Sequence, residues 1–306
     1  MCIMHNIIIK YSFLFYTLIY CHQLVGQMDQ CKSLPAYFAK MGINPSKAYL
    51  STTERNLVGM ALIESEQPGN PNARIIKIVQ DKSWKDKGYL GAICTDHFGN
   101  SYVLPSAKVN MLQNPFEKQN NIYKVDANSG KMDEFVKIPM ERVPGSFNPF
   151  GVLGSFYDCS TKQLLVSTVA GSDEKREIGG VYTVDVLTKQ IKKIISNKDI
   201  YGLALHMHAG KRILYLSSAR ESKLYSIELD ATNNPTGSLK EEISIHGLGP
   251  RGDDKIRKIR FTKDGRMQLF TVLFYYNLTS PSEEQQSQMF FTYEPANKNW
   301  KLSGIE

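Results

Sequence analysis

The 306-residue chain is predicted to be all-β, a β-propeller of four-stranded blades, and three observations carry that prediction. The first is a repeated pentad of apolar, aromatic, any, apolar and acidic residues. It occurs as Ile122-Tyr-Lys-Val-Asp126, Val181-Tyr-Thr-Val-Asp185, Leu224-Tyr-Ser-Ile-Glu228 and Phe290-Phe-Thr-Tyr-Glu294, while Met60-Ala-Leu-Ile-Glu64 keeps the frame without the aromatic. The second is the spacing of these five copies, 62, 59, 43 and 66 residues, a blade-like period. The third is what flanks each copy: two strands joined by a tight turn before it, a turn and a further strand after it. A sandwich also has many short strands, but it has no reason to repeat a four-part phrase. Composition agrees, with 42% hydrophobic and 22% charged residues, ample for a packed core.

Taken in chain order, residues 1–27 stand apart. MCIMHNIIIKYSFLFYTLIYCHQLVGQ has one full charge, Lys10, before the apolar run Tyr11–Tyr20, which is the shape of a signal peptide. The run falls short of the roughly 20 apolar residues that span a bilayer. The chain is therefore expected to be secreted or periplasmic, with no membrane attachment once the leader is cleaved. Cleavage removes one Lys and no acid from a net charge of +7, so the mature chain stays mildly basic. The cysteines that remain are Cys31, Cys94 and Cys159; three allow at most one internal bridge, so this is no disulfide scaffold.

Residues 28–44 read as a lead-in and residues 45–306 as the propeller, expected to be monomeric. The first unit, around Met60, lacks a clear innermost strand. Either MDQCKSLPAYFAKMGIN, residues 28–44, supplies it, or the C-terminal KNWKLSGIE closes the ring there and removes a free sheet edge. The next units run GAICTD-HFGN-SYVLPS, GSFYD-CSTK-QLLVST, LALHMH-AGK-RILYLSS and IRFT-KDGR-MQLFTV into their pentads. Acid, Asn and Gly residues then reverse the chain, as in ANSG at 127–130 and LDATNNPTG at 229–237. Tyr123, Tyr182 and Tyr225 are read as packing between neighbouring sheets. Five units are visible, which supports five or six blades.

The links between first and second strands, and between third and fourth, are short, whereas the other set holds the insertions. These are 105–121, 170–180, 276–288, 142–151 and 247–254. Loops that vary without harming a scaffold are where binding accumulates, so a ligand site is expected on that face, at the mouth of the central channel. Asn148, Phe150, Tyr201, Asp253 and Asp254 are its candidate residues, with the loop 105–121 as a wall, and a small polar or cationic molecule as the ligand. Asn148 precedes an inner strand and either points into the channel or caps a turn. Asp253 and Asp254 either offer oxygen ligands to a hard cation or pair on a solvated loop with Arg251 and Lys255. Glu117 reads as exposed.

His206 and His208 alternate in LALHMHAG and so share one side of a strand. Packing against a neighbouring blade is the reading adopted for them over a metal or general-base role. The basic stretch RGDDKIRKIRFTKDGR, 251–266, lacks the aromatic interleaving of an RNA-binding surface, and no nucleic-acid partner is expected. GxSxG, HExxH and GxxxxGK[ST] are absent, which removes the common hydrolase, metalloprotease and P-loop signatures.

The stretch DIYGLALHMHAGKRILYLSSARESKLYSIELD resembles the glycine-to-strand region of the yellow and major royal jelly protein family, and Trp84 with GYLGAICTDHFGNSYVLP resembles an earlier blade of it. The layout of residues 45–275 is also similar to the senescence-marker protein and gluconolactonase superfamily. This resemblance implies six blades. It also implies a divalent cation such as Ca2+ held at the channel, with Asn148 matching one Asn ligand and Asp253 or Asp254 the Asp; Asn197 and Asp199 lie near another expected place. Two function classes follow: a secreted binding propeller, and a divalent-metal-dependent lactonase or related hydrolase.

Overall fold

The computed structural model describes residues 33–52, 57–68, 70, 73–108, 112–278 and 286–306. The expected leader at 1–27 and Cys31 fall outside the described residues. Five antiparallel sheets form a five-bladed β-propeller. Blade one holds β1 (Ala48–Ser51), β2 (Ala61–Ser65) and β3 (Ile75–Val79); blade two β4 (Leu90–Thr95), β5 (Ser101–Pro105), β6 (Asn121–Val125) and β7 (Met132–Lys137). Blade three comprises β8 (Val152–Asp158), β9 (Gln163–Thr168), β10 (Gly180–Asp185) and β11 (Ile191–Ser196). Blade four comprises β12 (Ile200–His208), β13 (Lys211–Ser218), β14 (Lys223–Leu229) and β15 (Lys240–Ser244). Blade five comprises β16 (Lys255–Phe261), β17 (Met267–Val272), β18 (Ser287–Glu294) and β19 (Asn299–Ile305).

The five pentads fall on β2, β6, β10, β14 and β18, the third strand of each phrase. Blade one thus has second, third and fourth strands, and no innermost strand among the described residues. Neither expected source supplies it among the described residues. Tyr37–Lys40 is instead a single helical turn, α1, whose Tyr37 N–H donates to Ala127 O at 3.1 Å and whose Tyr37 and Phe38 are buried. The C-terminal segment pairs with β18 as the outer strand of its own blade, in the register Tyr293↔Trp300 and Glu294↔Asn299. The short turn 295–298 closes a hairpin between β18 and β19. The sixth blade that the resemblance implies is not present among the described sheets.

Each inner strand from β4 to β16 carries a bulge in its pairing with the second strand, and the bulge is built by side chains. In blade four, Ser217 Oγ accepts from Gly202 N at 2.7 Å and donates to Ile256 O of the next inner strand at 2.5 Å. Ser167 does the same in blade three, accepting from Gly154 N at 2.9 Å and reaching Tyr201 O at 3.3 Å. Hydroxyls here satisfy backbone groups that the bulge removes from the ladder. They also tie blade three to blade four and blade four to blade five. Gly202 is required by this closeness, since a Cβ there would lie 2.5 Å from Arg257 O.

Between blades the apolar faces interdigitate. Leu205, Leu214 and Ile227 of blade four pack with Ile259, Phe261 and Leu269 of blade five, and Tyr102, Ile122 and Val166 join blades two and three. Tyr123 and Tyr182 are buried as the pentad reading expects, while Tyr225 is half-buried, its hydroxyl donating to Glu221. Cys94 is buried and Cys159 is disulfide-bonded.

Candidate functional site

The mouth on the long-loop face is built from residues that precede inner strands, and the polar atoms of Asn148 and Asp254 are spent on the fold. Asn148 is fully buried: its amide donates to Val169 O at 2.8 Å and Ser172 O at 3.0 Å, and its oxygen accepts from Phe150 N at 3.0 Å. It clamps the turn onto the β9–β10 loop, the turn role among its two expected ones. Asp254 is buried too, gripped by Arg251 through Nε at 2.5 Å and Nη2 at 2.6 Å, with Thr271 Oγ1 donating at 3.1 Å. Asp253 is exposed, and Lys255 donates to Asp253 O at 2.5 Å and Ser222 Oγ at 3.3 Å.

Phe150 and Tyr201 do meet, through a third ring that the sequence reading did not name. Phe274 lies 5.0 Å from Phe150 and 4.6 Å from Tyr201, and Ala107, Val169, Ala219 and Val272 complete an apolar cluster there. Only Ala107 of the expected wall 105–121 joins it among the described residues. Tyr276 extends the cluster and brings its hydroxyl to Asp199 Oδ2 at 2.6 Å.

Asp199 is the hub of this face. Fully buried just before β12, it accepts from Ser172 Oγ at 2.5 Å and Gly179 N at 3.0 Å with one oxygen, and from Arg220 Nε at 2.8 Å and Tyr276 with the other. Arg220 continues to the carbonyls of Asp173 and Arg176, both at 2.5 Å. Three blades are stapled by one carboxylate. Burial, then the charge of Asp199, pushes the Tyr276 hydroxyl far up from its ordinary value. Two guanidinium groups thus stand on the carboxylates of Asp199 and Asp254. Among the described residues, no group of three or more His, Cys, Asp or Glu side chains gathers closely enough to hold a metal.

On the opposite, short-turn face, a cleft of about 340 Å³ opens between blades four and five. Its floor comes from blade four: Ile213, Tyr215, Ser226, Glu228 and Glu242, with His208 at the strand end. Tyr293 and Trp300 enter from blade five. The strand register puts these groups on one face, since Ile213 pairs with Glu228, Tyr215 with Ser226, and Ser226 with Lys240. The rings meet edge to face: His208 and Tyr293 at 4.3 Å and 73°, Tyr293 and Trp300 at 5.2 Å and 64°, Tyr215 and Trp300 at 6.3 Å and 80°. Ser226 Oγ holds Glu242 Oε1 at 2.7 Å. Burial pushes the His208 imidazole below its ordinary pKa, against the pull of Glu242.

Both histidines pack on blade five, as expected for them. His206 is buried and stacks on Phe261 at 3.8 Å and 5°, with no partner for Nδ1 among the described residues. Burial, and secondarily the charge of His208, pushes its pKa down to about 4. A second depression, about 360 Å³ at Pro139, Glu141, Tyr182 and Lys193, already has its polar groups paired with one another. Tyr182 donates to Pro139 O at 3.0 Å and Lys193 to Glu141 at 3.1 Å.

No protein-family profile and no curated protein match the chain. Solved structures do align with it. A nidogen/laminin complex aligns over 81% of this chain and 75% of its own, at 12% identity and a TM-score of 0.45. A protein of unknown function from Desulfotomaculum acetoxidans aligns over 80% of this chain and 62% of its own, at 10% and 0.43. A Bacteroides fragilis protein provisionally assigned as a 6-phosphogluconolactonase aligns over 85% and 68%, at 12% and 0.44.

Proposed function

We propose that the chain is a secreted, monomeric binding propeller for a small polar ligand, and that the ligand sits in the cleft between blades four and five. One observation carries this reading. The cleft brings four aromatic or imidazole rings, a nearly buried carboxylate and a serine hydroxyl onto one space of about 340 Å³, the mixture of apolar wall and few convergent polar groups that small-molecule sites share. At the channel mouth, by contrast, Asn148, Asp199 and Asp254 are already committed to the fold.

The same contrast weighs against the metal-dependent lactonase. A divalent ion at the mouth would have to displace Arg251 from Asp254 or Arg220 from Asp199, each a short charge-assisted pair. Secretion is supported by the disulfide at Cys159, since such bonds persist in oxidising compartments. Thermal-shift screening of small polar fragments tests the reading, with Trp300→Leu as the control. Hits that stabilise the wild type and lose their effect in Trp300→Leu support the cleft. Hits unaffected by Trp300→Leu but abolished by Tyr201→Leu would move the site back to the channel mouth.

A further inference from the structure

The cleft already contains a clue to the charge of its ligand. Glu242 has a side chain only 10% exposed, and its carboxylate is held by Ser226 Oγ and by the ammonium of Lys240 at 3.1 and 3.2 Å. Lys240 sits two residues earlier on the same strand and is 63% exposed. Such a lysine is a replaceable partner, because a long solvated side chain gains little from an ion pair it must be ordered to make. The acid is fixed and its counter-charge is not.

Around that acid, His208 meets Tyr293, and Trp300 meets both Tyr293 and Tyr215, edge to face, so neighbouring rings turn faces and edges into the same space. Ring faces attract cations through their quadrupole, and more strongly where water is excluded. Glu228, the other acid lining the cleft, is engaged by Lys211 at 2.7 Å outside it. Lys298 lies on the rim and opposes ligands carrying more than one positive charge. Resting on the cleft reading above, we propose that the ligand is a singly charged organic ammonium, which takes the place of the Lys240 ammonium on Glu242 against the aromatic walls.

Trp300 reports on the site directly, and the chain's one other tryptophan, Trp84, is buried at the blade one and two interface. Indole fluorescence and calorimetry are therefore followed with choline, phenethylammonium and the neutral 2-phenylethanol. Both ammonium probes are expected to bind and change Trp300 emission, with 2-phenylethanol at least tenfold weaker. Glu242→Gln is expected to weaken the ammonium probes at least tenfold, and Lys240→Met to tighten them severalfold by removing the internal competitor. Circular dichroism verifies that both variants fold. If 2-phenylethanol binds as tightly as phenethylammonium and Glu242→Gln changes neither, the ammonium assignment is overturned while the cleft stands. If no probe alters Trp300 in the wild type or in Lys240→Met, the cleft reading fails and the ammonium falls with it.

Discussion

The two faces of this propeller use polar residues in opposite ways. On the long-loop face, Asn148, Asp199 and Asp254 are buried, and their described contacts brace turns within a loop or hold one loop against another. On the short-turn face, the groups lining the cleft leave a walled space between two sheets. The difference teaches that long loops need internal staples before they can serve as anything else. A polar residue at a propeller mouth is as readily the staple as the site.

If the mouth is architecture, damage there is costly. Asp199→Ala leaves Arg220 and Tyr276 without their buried acceptor, and breaking one partner of a buried pair costs about 3–5 kcal/mol. Chemical denaturation is expected to show that loss. A variant as stable as the wild type would mean that the hub is not holding the blades.

His206 sharpens the comparison from the cleft side of blade four. Its pKa of about 4 in the fold lies below the ordinary value near 6.5. The unfolded chain therefore takes up a proton first, and stability falls as pH drops through 6.5 and levels off near 4. That gap corresponds to about 3 kcal/mol lost by pH 4. His206→Phe keeps the stack on Phe261 and is expected to remove this component, so its stability advantage over the wild type should grow between pH 6.5 and 4. An advantage that stays constant with pH would contradict the burial argument.

A smaller effect is expected at Ser217, where Ala strips a bridge between Gly202 and Ile256 and leaves buried backbone groups short of a partner, about 1–3 kcal/mol by denaturation. The smallest belongs to Asp253. Exposed on its loop, its change to Asn should alter stability by less than about 0.5 kcal/mol. Ligand binding should not change either. Weakened binding in that variant would return the site to the mouth.

The fold was legible because a blade is a local phrase. The pentads of β6, β10, β14 and β18, and the turns after them, are set by residues close in sequence. The fate of the C-terminal strand was not legible, because KNWKLSGIE suits an outer strand in any blade and only pairing decides which. At the site, the packing of His206 and His208 on blade five followed from their alternation. The hub did not follow, because Asp199, Arg220 and Tyr276 come from three separate loops and no spacing joins them. One signal was available: Asp199 and Asp254 each stand one residue before an inner strand, a shared register that marks a shared structural job. The cleft was hidden more deeply. Glu242 reads as one acid in an ordinary outer strand until the packing of Trp300 and Tyr293 against blade four gives it walls.

The most direct measurement is an NMR titration of protein labelled with 15N at its two tryptophan indoles and along the backbone, using the set of small polar fragments that stabilise the wild type. The account expects the Trp300 indole and the amides of Ser226 and Glu242 to shift together in a saturable way, with the Trp84 indole and the amides of Phe150 and Gly202 unmoved. Saturable shifts confined to Phe150, Tyr201 and Asp254, with Trp300 silent, would contradict it.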